Sequence, residues 1–325
     1  MPPARADRPG PTTSVVVCAY TERRWDVLCV SLRSALSQEP PPLEAIVVVD
    51  HNEALAERVR AAFPQVAVVA NAGTRGLSGA RNTGLAHARG DVVAFLDDDA
   101  VARPGWLAGL TAAYADPRVV GTGGVVLPRW VDRRPRWLPD EFLWVVGCTY
   151  RGVAERAVEI RNPIGASMSL RRDAGLRAGG FSAGLGRVGR TPLGCEETEL
   201  SIRLCRRTPG AVVVQAPTAV VDHEVVPERA RWSYYLARCW SEGLSKAVVA
   251  RLVGAGDGLS AERRYVTRTL PSGFARALAE AARGDAGGLL RAGALLAGVG
   301  VTAAGYLRGR LAAPPDGGRP QPPGP

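Results

Sequence analysis

The 325-residue chain predicts an α/β fold, a mainly parallel wound sheet of Rossmann-like type followed by a helical C-terminal extension. Three observations carry this expectation. Short apolar runs alternate with amphipathic stretches over residues 14–96, as strands and crossover helices do in a parallel sheet. Several of these runs stop at a polar or acidic residue, where open α/β sheets bind ligands. The hydrophobic fraction is 46% against 22% charged, a globular balance in a chain long enough for one large domain plus an extension.

The first apolar run, residues 14–20, reads as a doubly buried strand, and residues 25–37 as a helix. Residues 43–50 form a second strand ending in Asp50, residues 53–62 a helix, and residues 66–70 a third strand. A helix over 76–89 then leads to a fourth strand, 92–96, which runs straight into Asp97, Asp98 and Asp99. From 119 to 225 the pattern is mixed: short strands separated by Trp-, Pro- and Arg-rich loops, with a helix over 196–206. The acceptor side of a site is expected there.

After Pro227 the chain reads as helical, over 232–252 and again from Phe274. Residues 292–307 are apolar but Gly-rich, bounded by Arg291 and Arg308, and shorter than the roughly 20 residues that span a bilayer. Peripheral contact with a membrane is therefore expected rather than a crossing. The expected organisation is a disordered tail over 1–12, a catalytic domain over 13–225, a helical extension over 226–312 and a disordered Pro/Gly-rich tail over 313–325.

The net charge of +10 comes from arginines scattered through an Ala-, Gly- and Pro-rich chain. One weak cluster, Arg129, Arg133, Arg134 and Arg136 beside Trp130 and Trp137, reads as a solvated loop, and nucleic acid is not an expected partner. Six cysteines without a CxxC pair argue against a disulfide framework or a zinc site. The first residues lack the apolar core of a secretory signal, so a cytoplasmic location is expected, with peripheral contact at the inner face of the membrane.

Three adjacent aspartates at a strand end repel one another, and a divalent cation would resolve that repulsion. Carboxylate oxygens suit Mg²⁺ or Mn²⁺, whose shells substrate phosphates complete, so a nucleoside diphosphate is the expected ligand. His223 is one of three histidines and a candidate further ligand. Asp50, closing its strand, offers an acceptor to a base edge or ribose. The Gly-rich segment 73–82 precedes a helix and suits phosphate, although it matches neither GxGxxG nor the Walker A spacing. Glu196 and Glu199 share a helix face, leaving Glu197 offset; like charge beside it raises its pKa towards that of a general base.

The motifs SVVVCAYTE, AIVVVD, GLSGARNTGLAHARGDVVAFLDDDA and GCEETELSIRL, in that order, resemble the family 2 glycosyltransferases of the GT-A fold. The resemblance spans residues 14 to about 206. It implies an inverting, metal-dependent transfer from a nucleoside diphosphate sugar, UDP-linked, to a hydroxyl on a lipid phosphate, a glycan or a small metabolite. It places Ala19, Tyr20, Glu22 and Asp50 around the donor, and Arg81 on its base or phosphate. Asp97, Asp98 and Asp99 then form the Asp-x-Asp motif, Asp99 on the metal and Asp98 nearer the ribose; from the residues alone, Asp97 is a further metal ligand, and His223 either ligates the metal or closes over the phosphates. Glu196 and Glu197 match the acidic pair whose second member is the catalytic base. Here Glu stands where the family has Asp, one methylene longer. Glu196, Trp137 and Asn162 are expected on the acceptor side.

Two rivals remain from the sequence. A sugar-nucleotide pyrophosphorylase would carry its Gly-rich signature after the first strand, whereas here it follows the third. A non-catalytic sugar- or membrane-binding relative would have no need for acids at both ends of the site.

Overall fold

A computed structural model describes residues 10–153, 156–183, 185, 194–254 and 260–311. Of the tails expected at 1–12 and 313–325, residues 1–9 and 313–325 lie outside them, and Thr12 bonds to Asp91. The first half runs β1 (Thr13–Ala19), α1 (Trp25–Leu36), β2 (Glu44–Val49), α2 (Glu53–Ala62), β3 (Ala67–Ala70), α3 (Leu77–His87) and β4 (Val92–Asp97). These strands lie in the order β3-β2-β1-β4 and pair in parallel. Both faces of β1, β2 and β4 are covered, which is why they read as unbroken valine-rich runs rather than alternating ones.

Register brings the functional strand ends together. Cys18 of β1 pairs with Asp97 of β4, and Ala19 pairs with Val49, so Ala19, Asp50 and Asp97 reach one rim of the sheet. Local chemistry fixes the helices above it. The Asn52 side chain caps α2 by accepting from the Leu55 amide. Gly84 lets α3 lie on the sheet, since a Cβ there would meet Val16 Cγ1 at 2.4 Å.

The chain continues through β5 (Ala100–Ala102), α4 (Trp106–Ala112), β6 (Val119–Trp130), β7 (Glu159–Ile160), β8 (Ser167–Arg171), α5 (Arg172–Ala178), α6 (Glu196–Arg207) and β9 (Val212–Val225). Here the sheet becomes mixed: β8 is antiparallel to β4 and β6, β5 and β7 are antiparallel to β9, and β6 runs parallel to β9. Of the strands in this region, β7 and β8 are short, as expected, with 2 and 5 residues, whereas β6 and β9 are long, with 12 and 14. Their ladder slips between Gly123 and Val125, beside Pro217 of β9. Glycine and proline at such a slip break the apolar pattern without ending the strand.

The remaining elements are α7 (Trp232–Val253), α8 (Ser260–Arg264), a π-helical turn (Tyr265–Thr269), α9 (Leu270–Ala282) and α10 (Gly287–Leu311). Helix α10 has 25 residues, longer than the apolar stretch suggested, and by length and composition it could cross a membrane. Gly298, Gly305 and Gly309 lie in its seam with α7. A Cβ on Gly305 would sit 2.3 Å from the Trp240 carbonyl oxygen, and one on Gly243 2.2 Å from that of Thr302. Four of its leucines point the other way, Leu289, Leu296, Leu307 and Leu311 being 62%, 63%, 62% and 82% exposed, while Leu295 is buried.

Candidate active site

A cavity of about 1020 Å³ opens at the rim where β1, β2 and β4 end. Strand β4 delivers Asp97, and the chain turns through Asp98 and Asp99 into β5. Because β5 pairs with β9, His223 lies opposite Ala100, beside the aspartates. Asp97, Asp99 and His223 each offer a ligand atom, all within 4.8 Å of one another. His223 Nε2 is 3.2 Å from Asp99 Oδ1.

The chain itself offsets the repulsion that the sequence assigned to a cation. Arg24 donates to Asp98 Oδ1 at 2.6 Å and lies 3.2 Å from Asp99 Oδ2. Arg229 donates to Asp99 Oδ2 at 3.1 Å, and its Nη1 lies 3.2 Å from His223 Nε2. Burial opposes ionisation of Asp99, yet His223, Arg229 and Arg24 hold its carboxyl well below the usual range. Burial pushes Asp98 up to about 7; Arg24 opposes that rise, and the Asp99 and Asp97 carboxylates add to it. Asp98 Oδ2 is a buried acceptor with no partner, which an incoming donor or cation would satisfy. Two carboxylates and an imidazole supply the oxygen and nitrogen donors that Mg²⁺ or Mn²⁺ accepts, so the residues fit such an ion.

Arg81, on α3, joins this end of the cavity to the other acids. Only 2% exposed, it donates to Glu196 Oε1 at 2.9 Å, to Asp97 Oδ1 at 3.2 Å and to the Gly165 carbonyl at 3.0 Å. A Cβ at Gly165 would lie 2.8 Å from Arg81 Nη2, so glycine admits the guanidinium to the backbone. The sequence placed Arg81 on the base or phosphate. The structure commits its guanidinium to two acids and a carbonyl.

Helix α6 begins at Glu196 after Cys195, whose φ of 70° is left-handed. That turn sends Glu196 inward to Arg81 and leaves Glu197 half-buried on the cavity wall. Burial, with Glu196 adjacent, raises the Glu197 pKa above the ordinary carboxylate range. Glu199 turns away to Arg203 and to the Ser182 hydroxyl.

Other expected residues divide. Ala19 and Tyr20 line the cavity, Tyr20 exposed and 5.7 Å from the Arg24 guanidinium. Asp50 also lines it, accepting from Asn71 Nδ2 at 2.6 Å and from the Gly76 amide at 2.9 Å. The carboxylate thus shapes the Gly-rich loop, whose Gly76 takes a φ of 119°. Asn162 is on the wall. Glu22 is not: it is exposed at the start of a short 3-10 turn, Glu22–Arg24, of which Arg24 reaches the cavity. Nor is Trp137, which packs edge-on against Trp232 and Tyr235 at 4.9 and 5.3 Å. Its aromatic face was needed by α7. Arg24 and Arg229 were missed because neither lies in a motif, although Arg24 follows the first strand end closely.

Residues 14–175 match the model of glycosyl transferase family 2. A glucosyl-dolichyl phosphate glucuronosyltransferase of Haloferax volcanii is 38% identical over 240 residues, 73% of this chain and 76% of that one. The chain belongs to glycosyl transferase family 2. Membership of this family sets aside the pyrophosphorylase reading. Solved structures agree on the GT-A fold. The mannosyltransferase PcManGT of Pyrobaculum calidifontis, in complex with GDP-Man and Mn²⁺, superposes with a TM-score of 0.59 at 23% identity, covering 93% of this chain and 86% of that one. GalNAc-T7 with UDP, GalNAc and Mn²⁺ gives 0.52 at 18% identity, covering 80% of this glycosyltransferase and 54% of that chain.

Proposed function

We propose that this glycosyltransferase moves a sugar from a UDP-linked donor to an acceptor hydroxyl, with inversion, and that it requires Mg²⁺ or Mn²⁺. The observation that carries the proposal is the Asp97–Arg81–Glu196 bridge, which sets the metal-ligating acids and Glu197 on one cavity. Glu197 takes the proton of the acceptor hydroxyl, and that oxygen forms its bond to the anomeric carbon. The bond from that carbon to the diphosphate oxygen breaks, and its electron pair leaves with the diphosphate. One displacement inverts the centre. Glu197 suits the role because its raised pKa lies closer to neutrality than that of an ordinary carboxylate.

Asp97, Asp99 and His223 would hold the metal, which when bound supplies positive charge to the leaving diphosphate. Arg229 and Arg24 keep Asp99 ionised for that purpose. The ends of β1 and β2 receive the nucleobase through Ala19, Tyr20 and Asp50, all on the cavity wall. Residues 13–225 are the catalytic domain, and residues 226–312 an extension that meets the membrane.

That last assignment is supported by the outward leucines of α10, with Arg283 before the helix and Arg308 and Arg310 at its end. Arginines flanking an apolar stripe suit the anionic cytoplasmic surface of a bilayer. The Haloferax volcanii relative is named for a sugar on dolichyl phosphate, which favours a lipid-phosphate acceptor here. A calorimetric screen of UDP, GDP and their sugars, with and without Mn²⁺, tests the donor. UDP binding that needs the metal is expected. A donor that binds equally well without metal, or a preference for GDP, would overturn that part.

A further inference from the structure

The cavity continues past Glu197 into a second, chemically different half. Cys195, immediately before the glutamate pair, donates to Glu242 Oε1 of α7 at 3.4 Å. From there a chain of ion pairs runs along the wall. Lys246 Nζ lies 3.2 Å from Glu242 and 2.8 Å from Glu262, and Arg161 donates to both oxygens of Glu262. Arg238 lies 3.8 Å from Glu242. All five side chains line the cavity, with Arg264 at its exposed edge.

Charge differs between the halves. Around the metal ligands and the glutamate pair, Asp97, Asp98, Asp99, Glu196 and Glu197 outnumber Arg24, Arg81 and Arg229. In the second half, among the described residues, Arg161, Arg238, Lys246 and Arg264 face Glu242, Glu262 and Glu159, four cations to three carboxylates. A surplus of positive charge behind low-dielectric walls focuses on anions. The donor diphosphate is assigned to the metal end, so an anion that meets this cluster of cations belongs to the other substrate. Beside the cluster the wall turns apolar, through Val266, Leu270, Val299 and Ala303. The last two belong to α10, whose opposite face carries the exposed leucines.

We infer that Lys246, Arg161, Arg238 and Arg264 form a subsite for the phosphate of the acceptor, with the acceptor's apolar portion leaving along α10. The subsite rests on the transferase reading above and names its acceptor class: a phosphate ester whose sugar hydroxyl reaches Glu197. Lys246 is the central member because it bridges both glutamates. An entering phosphate takes up one of its donors while Glu242 and Glu262 keep the side chain in place. The same chemistry would accept a lipid-borne phosphate or a free sugar phosphate.

Calorimetry with farnesyl phosphate, farnesol and glucose 1-phosphate separates these cases, with UDP and Mn²⁺ titrated into the same proteins. Farnesyl phosphate is expected to bind at least tenfold more tightly than farnesol. Lys246→Gln should weaken it by tenfold or more, the effect of losing one charged hydrogen bond, while UDP affinity is unchanged. Arg264→Gln, on an exposed residue that threatens no folding, should weaken it several-fold. Tighter binding of farnesyl phosphate than of glucose 1-phosphate identifies the lipid-borne source, and equal binding the soluble one. Farnesol binding as well as farnesyl phosphate, or parental affinity in Arg264→Gln, overturns the subsite. If Lys246→Gln also loses UDP, Arg264→Gln decides alone. Absence of UDP binding in the parent would instead count against the donor assignment and leave the phosphate comparison standing.

Discussion

Replacing each member of the glutamate pair by glutamine separates chemistry from architecture. Glu197→Gln removes the proposed base and no ion pair that holds α6. General-base catalysis is worth about 10²–10⁴-fold, so turnover should fall by that factor, about 2.7–5.4 kcal/mol in barrier, with UDP affinity unchanged. Stability should move the other way. The folded state holds the Glu197 proton to higher pH than the unfolded chain does, so this group's contribution falls as pH rises above the ordinary carboxylate value of about 4.3. Glutamine escapes that loss, so Glu197→Gln should melt no lower than the parent at neutral pH, the difference vanishing in acid. Glu196→Gln instead weakens the 2.9 Å contact to buried Arg81. A charged hydrogen bond is worth about 1.5–3 kcal/mol, so that variant should melt several degrees lower. Calorimetric melting and UDP release measure both quantities. In the parent, kcat/KM should rise with pH through a transition above the ordinary carboxylate range. Near-normal turnover in Glu197→Gln, with turnover lost in Glu196→Gln, would move the base to Glu196 and refute the reasoning.

Asp50→Ala should weaken UDP binding by about 1–3 kcal/mol, because it removes a cavity-wall acceptor and releases the Gly76 amide and Asn71; equal affinities would reject a role in donor binding. Gly305→Val drives a side chain into the Trp240 carbonyl and should cost about 1–3 kcal/mol or more, read as a lowered Tm, and an unchanged Tm would contradict the α7–α10 seam. Leu296→Asp combined with Leu307→Asp removes two exposed leucines worth about 1.5–3 kcal/mol each in an apolar phase, so sedimentation with phosphatidylglycerol vesicles should drop by about a hundredfold or more in partition. Parental sedimentation would deny α10 the membrane contact.

The first half of the fold was legible because β1, β2 and β4 are buried on both faces and their apolar runs end where the strands end. Strand ends then led directly to Asp50, Asp97 and the rim. The second half was less legible because Gly123, Gly124 and Pro217 interrupt β6 and β9 at a register slip that only pairing reveals. In α10 the same residue type misled differently: its glycines lowered the apolar signal, yet Gly298, Gly305 and Gly309 lie in the packed seam. Within the site, carboxylates announced themselves by clustering, but their partners did not. Arg229 meets Asp99 across 130 positions, and Arg161 meets Glu262 across 101, separations that no local pattern encodes. Trp137 was misplaced for a related reason, since an aromatic beside arginines resembles a binding surface until α7 covers it.

Metal-supported sugar transfer at Asp97, Asp99 and His223 is tested most directly by UDP release from the donor that binds, in Mn²⁺ and in EDTA, for the parent and for Asp99→Asn. Release by the parent in Mn²⁺ should disappear in EDTA. Asp99→Asn, with the parental circular dichroism spectrum, should stay inactive in both because one of two carboxylate ligands is gone. Undiminished release by the parent in EDTA, or by Asp99→Asn in Mn²⁺, would contradict the metal site and with it the proposed chemistry.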